Sequence, residues 1–283
     1  RIYESQRMWL RAVESYQAAA SRATQDERAL RAMVAAGDLC ERKLQEPSEA
    51  LELYRAGLVH AYNAYAQLRG AGKAAKPDAQ LDADRDAAWA GAERLLRSDK
   101  DRKRLPELDA LFVERLAHTP DGAGEERANL LSARLDLLLE MRTLSGATAT
   151  SDEVTAQVRT INELAMLRPQ DETLLAKLED QLIGLGQLAG ARDIARLRAQ
   201  GATARGADVG TQAERWLHVS ERALALGDLR DVDASLNQAA NLAPTSLPVL
   251  RAQVSLKQRA GQPEAEVEAL LRLAGAEPQV EDA

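Results

Sequence analysis

Aromatic and β-branched side chains are scarce in this sequence. Its 283 residues include one Phe, three Trp and five Tyr, and only four Ile and 13 Val against 54 Ala and 43 Leu. Strands favour β-branched and aromatic residues, whereas Ala and Leu are strong helix formers. The composition therefore argues against β-sandwiches, barrels and parallel α/β folds, and it predicts an all-α protein.

Cysteine occurs only once, at Cys40, so no disulfide can form within the chain. The cysteine count therefore does not indicate whether the protein works in an oxidising or a reducing compartment. Cys40 lies near Leu39 and Leu44 in a stretch with helical periodicity. We expect it to be a small, semi-buried filler, and a reactive thiol is the alternative.

Long apolar runs are also missing. None approaches 18 residues, so no membrane-spanning helix is predicted. The sequence starts at Arg1 rather than Met and shows no charged-then-apolar leader, so we expect a fragment or a mature form. Its 30 Arg against seven Lys, together with abundant Ala, hint at a GC-rich bacterial genome. Localisation stays unknown, with bacterial cytoplasm and periplasm equally compatible.

Charge of one sign does not dominate. The chain has 37 basic and 44 acidic residues and a net charge of −7, which gives no general attraction to nucleic acid. The densest basic run, residues 100–104, is flanked by Asp99 and Glu107 and has no interleaved aromatic residue. We interpret this run as a solvated helix end and expect no nucleic-acid partner.

Residues that could carry catalysis or bind metal are few. The three histidines, His60, His118 and His218, lie far from Cys40 and from one another, without metal-ligand spacing. The sequence contains no nucleophile elbow, phosphate loop or dinucleotide fingerprint. We therefore predict no enzyme activity, no catalytic residues, no cofactor and no metal site.

Apolar residues recur with helical period throughout, and nothing alternates with period two. The pattern predicts about 12–13 helices, with a linker-like segment over 71–79. We expect an N-terminal set of helices over 1–70, a middle set with lengthened turns over 80–170, and a C-terminal set over 171–283. The predicted helices are 2–21, 26–44, 48–69, 80–98, 105–118, 124–144, 152–167, 171–185, 187–200, 211–226, 229–242, 247–260 and 263–274.

The C-terminal part repeats with a period of 34 residues. Gly227 and Gly261 differ by 34, and so do Pro244 and Pro278. From Gly186 to Gly227 the step is 41, which indicates about seven residues inserted within 201–210. Upstream the pattern weakens but persists. A fixed period of this length predicts stacked units, each covering the apolar face of the previous one.

This pattern resembles the tetratricopeptide repeat (TPR) family, whose units of 34 residues form two antiparallel helices. Gly227 matches its inter-helix turn, Ala239 its small late position and Pro244 the exit from its second helix. The resemblance is specific over about 172–280 and degenerate before that, and Glu266 stands where a small residue is usual. It implies a right-handed α-solenoid whose first helices line a concave groove.

The resemblance also implies which side chains line a partner-binding groove. Some members of the family bind the C-terminal carboxylate of a partner with a clamp that includes amide side chains. Asp180 and Glu221 stand at positions of those amides, so we do not expect this chain to bind a terminal carboxylate in that way. The groove residues are Lys177, Asp180, Leu217, His218, Glu221, Leu224, Arg251 and Ser255, with Thr173 and Gln258 beside them.

The 34-residue repeat and the absence of catalytic motifs together favour a non-enzymatic scaffold that binds a protein or peptide partner. An overlapping hypothesis is a subunit of a bacterial multiprotein assembly, or a homo-oligomer. The alternative is a regulatory or ligand-sensing helical domain of a larger protein, with a pocket near residues 70–77.

Overall fold

The structure, a computed structural model, describes residues 2–70, 79–99, 102–120, 122–146 and 150–276. Within these ranges it contains fourteen α-helices and one π-helical turn, and no β-strand, so the all-α prediction is confirmed. The helix predicted over 2–21 is two helices, because Arg7 adopts a left-handed backbone conformation with a φ of 57°. No helix in the described ranges is both long and apolar enough to cross a bilayer.

The chain forms two compact units, Arg1–Thr119 and Pro120–Ala283. Residues 71–78 of the predicted linker lie outside the described residues. The division into sets of helices over 1–70, 80–170 and 171–283 therefore stays a prediction.

The described residues of unit 1 form six α-helices, three of which pack together at one tyrosine. Tyr54 is almost fully buried, with Gly37 beside the Cδ1–Cε1 edge of its ring and Gly91 beside the Cδ2–Cε2 edge. Tyr62 is buried too and stacks on His118, so both tyrosines belong to the core. The helices are α1 (Ile2–Ser5), α2 (Trp9–Ser21), α3 (Asp26–Leu39), α4 (Pro47–Gly70), α5 (Ala79–Arg97) and α6 (Leu105–His118), with a π-helical turn at Cys40–Leu44.

Cys40 opens the π-helical turn and is fully buried, which fits the predicted filler. Burial, with Glu49 and Glu46 nearby, raises the pKa of its thiol from 9.0 to about 11. Only the thiolate reacts with disulfide reagents.

We therefore expect DTNB at pH 8 to label Cys40 in the native chain roughly 100-fold more slowly than in the chain unfolded by guanidinium. The release of thionitrobenzoate at 412 nm measures both rates. Equal rates in the two states would show that the thiol is exposed and reactive.

Unit 2 contains eight helices, and each packs against the next along the chain. Glu172, the first residue of α9 (Glu172–Gly184), contacts Arg198 in the second half of α10 (Leu188–Ala204) and Arg205 just after it, so this pair is antiparallel. The helices are α7 (Gly124–Ser145), α8 (Ser151–Leu167), α9 (Glu172–Gly184), α10 (Leu188–Ala204), α11 (Val209–Ala225), α12 (Leu229–Leu242), α13 (Leu247–Arg259) and α14 (Pro263–Ala276).

The turns inside the three C-terminal pairs share one backbone geometry. Gly186, Gly227 and Gly261 have φ values of 72°, 74° and 64°, a left-handed conformation that glycine adopts without strain. The N–H after each glycine donates to the carbonyl five residues earlier, which satisfies a helix-terminal carbonyl and closes the turn. The predicted glycine turn therefore recurs in all three pairs.

The seven residues inserted between Gly186 and Gly227 are helical for the most part. α10 has 17 residues where α12 has 14, and α11 has 17 where α13 has 13. The insertion thus lengthens each of two neighbouring helices by about one turn, at the ends that meet around residues 204–209, whereas the predicted helices stop at 200 and resume at 211.

Candidate functional site

Alternate helices of the C-terminal pairs form two rows. In the first row, Glu179 of α9 bonds to His218 and Arg222 of α11, and α11 in turn packs on α13. In the second row, Arg196 of α10 bonds to Asp231 of α12 at 2.6 Å. The helices that the repeat predicts to line a groove, α9, α11 and α13, therefore lie side by side.

Each helix of the first row has one buried and one exposed side. On α9 the buried side carries Leu175, Leu178 and Leu182, whereas Lys177 and Asp180 are exposed. The same helical spacing leaves an exposed stripe on α11 and on α13. We call these three stripes together the first-helix face; its exposed members are Thr173, Lys177, Asp180, Glu214, Glu221, Arg251, Ser255 and Gln258.

The structure places the eight predicted groove residues in two settings. Lys177, Asp180, Glu221, Arg251 and Ser255 are exposed on the first-helix face. The other three are half-buried: Leu217 and Leu224 pack against the cluster of Ala223, Val232, Leu236 and Leu256, and His218 lies between α9 and α11. Among the eight, the structure brings together His218 and Glu221, whose Nδ1 and Oε2 atoms are 3.5 Å apart.

A buried carboxylate lies beneath this face. The side chain of Glu179 is 1% exposed, and it accepts hydrogen bonds from Arg198 of α10 at 2.5 Å and from Arg222 of α11 at 2.8 Å. Its Oε1 atom also lies 2.7 Å from Nε2 of His218. One side chain of α9 therefore connects three helices.

Burial alone would raise the pKa of this carboxyl. Hydrogen bonds from its three partners outweigh burial and lower the pKa of Glu179 from 4.5 to about 2. Glu179 is thus ionised at any physiological pH and holds its partners as a fixed buried charge.

A second carboxylate extends the network toward the helix ends. Glu172 bonds to Arg198 and Arg205 of α10 and to Arg215 of α11, at distances of 2.9–3.1 Å. Arg198 therefore bridges the two glutamates and is itself almost fully buried. These ion pairs fix α9, α10 and α11 relative to one another.

Glu179 and Arg198 are not among the site residues predicted from the sequence. In the next repeat, 41 positions further on, the equivalent residues are Ser220 and Ala239, both small and buried. The repeat alignment contains a signal for this pair. One unit carries a glutamate and an arginine at two positions where the neighbouring unit carries small residues. Within the described residues, no three His, Cys, Asp or Glu side chains are grouped to hold a metal ion.

These features define a class, an all-α protein built of tandem antiparallel helix pairs. No protein-family model matches the chain, and no curated protein matches its sequence.

Solved structures similar to the chain include a MamA double mutant, with 14% identity and a TM-score of 0.34, covering 65% of this chain and 98% of that one. The TPR2AB domain of yeast Sti1 in complex with pHSP90 has 12% identity and a TM-score of 0.32, covering 88% and 90%. BtubC from P. vanneervenii has 12% identity and a TM-score of 0.31, covering 98% and 93%. Because all three TM-scores are below 0.5, the assignment to helix pairs rests on the turns and contacts within this chain.

Proposed function

We propose that this protein is a non-enzymatic, TPR-like scaffold that binds a segment of a partner protein on the first-helix face, as a subunit of a bacterial multiprotein assembly. One observation carries the proposal: α9, α11 and α13 present their exposed stripes side by side. A row of helices with aligned outer sides offers a partner an extended surface.

The chemistry of the face supports a protein partner. It carries both charge signs, with Asp180 and Glu221 acidic and Lys177 and Arg251 basic. The half-buried Leu217 and Leu224 lie on the same helices and add apolar surface. Mixed charge around apolar side chains gives specificity for a polypeptide of matching pattern.

The rigidity of the frame supports it as well. The buried Glu179 network holds three helices together, so a partner does not have to order the face on binding. A preformed surface loses less conformational entropy on association and binds more tightly for the same contacts.

Charge reversal on the face tests this proposal. We expect Glu221→Lys with Arg251→Glu to lower recovery of at least one partner protein by tenfold or more in affinity capture from the source organism. Isotope-labelled mass spectrometry measures the recovery. Both side chains are exposed, so the melting temperature should stay close to that of the wild type.

The matched control reverses Asp152 of α8 and Arg230 of α12, which are exposed outside the first row and leave the net charge equally unchanged. Recovery of the partner by this control variant should equal that of the wild type. If every captured protein is recovered equally by all three forms, the first-helix face is not a binding surface.

A further inference from the structure

The outer side of α14 carries an exposed apolar stripe. Val267, Leu270 and Leu271 are 56%, 42% and 70% exposed, and Ala274 is exposed beside them. The spacing i, i+3, i+4, i+7 places these four side chains on one side of the helix. Ala269 is buried on the other side, where α14 packs on α13. We call the four residues the α14 stripe.

The internal repeat shows how the equivalent side of the previous second helix is covered. Leu270 corresponds, 34 positions earlier, to Leu236 of α12, which is only 1% exposed. Leu236 shares a buried cluster with Leu256 of α13. Ala223 of α11, the partner of α12 within its own pair, belongs to the same cluster. The following helix therefore completes the burial of this position and carries a leucine at the level of Leu236.

The residues around Leu270 make this side of α14 more apolar than that of α12. Asp233 and Asn237 of α12 correspond to Val267 and Leu271 of α14. Asp233 bonds to Lys257 of α13 at 2.9 Å. Because Val267 offers no such acceptor, a helix seated here needs an apolar side chain where α13 has Lys257.

The charges beside the α14 stripe indicate the rest of the occupant. Helix α14 carries three glutamates, Glu264, Glu266 and Glu268, and one arginine, Arg272, which pairs with Glu268. Helix α13, which covers α12, is basic, with Arg251, Lys257 and Arg259. Charge complementarity therefore favours a helix with basic residues on the flanks of its apolar side.

We propose that the α14 stripe binds an amphipathic helix of a partner protein, seated on α14 as α13 is seated on α12. This helix presents a leucine to Leu270 and an apolar residue to Val267, with lysine or arginine on its flanks. The surface is separate from the first-helix face, so this proposal does not depend on the proposed function.

A peptide made from this chain tests the proposal. The probe is residues 246–260, which contain α13, with Lys257→Leu and a fluorescent label. We expect saturable binding to the full chain in fluorescence anisotropy, weakened at least tenfold by Leu256→Asp in the peptide. The same loss is expected for Leu270→Asp and for Val267→Asp in the protein, because the equivalent positions of α12, Leu236 and Asp233, both contact α13.

Leu144→Asp is the matched control, because Leu144 is 56% exposed on α7 and lies outside the α14 stripe. This variant should bind the peptide like the wild type, and circular dichroism should show all three protein variants folded. Charge reversal at Glu221 and Arg251 should leave peptide binding unchanged.

Two results would overturn the proposal. One is the absence of saturable binding, or binding that Leu270→Asp and Val267→Asp leave unchanged. The other is a wild-type dimer in light scattering that Leu270→Asp dissociates, since a second copy would then occupy the stripe.

Discussion

Replacing Arg198 with methionine lowers the free energy of unfolding by about 3–5 kcal/mol, the cost of removing one partner from a buried ion pair. Arg198 donates to Glu179 at 2.5 Å and also bonds to Glu172. Its loss leaves the fully buried Glu179 carboxylate with two partners that are partly exposed to solvent. Urea unfolding followed by circular dichroism measures the change.

The control is the double variant Glu179→Leu with Arg198→Met, in which no buried charge is left unpaired. A well-packed apolar pair often replaces a buried ion pair at little cost, so we expect it to recover more than half of the lost stability. His218 and Arg222 then lose Glu179 but remain accessible to water. A double variant less stable than Arg198→Met alone would contradict this account of the network.

The pH dependence gives an independent measure of the same pair. The pKa of Glu179 is about 2 in the folded chain and 4.5 as its ordinary value. Because its pKa is lower in the folded chain, ionised Glu179 adds about 3 kcal/mol to the free energy of unfolding above pH 4.5. This contribution is lost as the pH falls from 4.5 toward 2. The double variant should lack this part of the acid destabilisation.

Adding a single methyl group at Gly91 destabilises unit 1 by about 2–3 kcal/mol. A Cβ there would lie 2.5 Å from Cε2 and Cζ of the Tyr54 ring. The ring cannot move away, because Gly37 lies against its opposite edge, where a Cβ would be 2.8 Å from Cε1. Its hydroxyl also donates to Asp38 and Glu41. The gain of about 1 kcal/mol in helix propensity from Gly91→Ala offsets only part of this cost.

Two controls separate overpacking from other effects of alanine. Gly275→Ala, in α14, places its Cβ where no atom lies within 4 Å, so it should be neutral or stabilising. In a Tyr54→Leu background, the loss of unfolding free energy caused by Gly91→Ala should be smaller by about 1 kcal/mol or more, because the aromatic ring is gone. If Gly91→Ala costs the same in both backgrounds, the tyrosine is not what forbids a side chain at this position.

Local patterns in the sequence predict much of this fold. Helical periodicity and the glycine spacing locate most helices and the turns at Gly186, Gly227 and Gly261, because both signals act between residues close in the chain. The break at Arg7 was missed, since an arginine in a left-handed conformation has no local signature.

The candidate site could be predicted only in part. Five of the eight groove residues that the TPR resemblance implies are exposed on the first-helix face. A repeat pattern does not fix the rotation of a helix to within one residue, and Leu217 and Leu224 are half-buried against the core. Glu179 was missed for a different reason. Its partners Arg198 and His218 are 19 and 39 residues away, so the charges that make its burial tolerable are invisible to any local window.

The lengthening of α10 and α11 has a consequence for how such chains can change. Helices α10 and α12 both begin two residues after a glycine turn, and α11 and α13 both end two residues before one, so the extra residues lie at the ends of α10 and α11 that meet at the turn between them. Residues added at such an end leave the other side chains of both helices at their former angles, whereas two residues inserted in mid-helix would rotate the rest of the helix by about 200° and turn apolar side chains toward water. The chain can therefore lengthen between one helix pair and the next without disturbing the packing inside either pair.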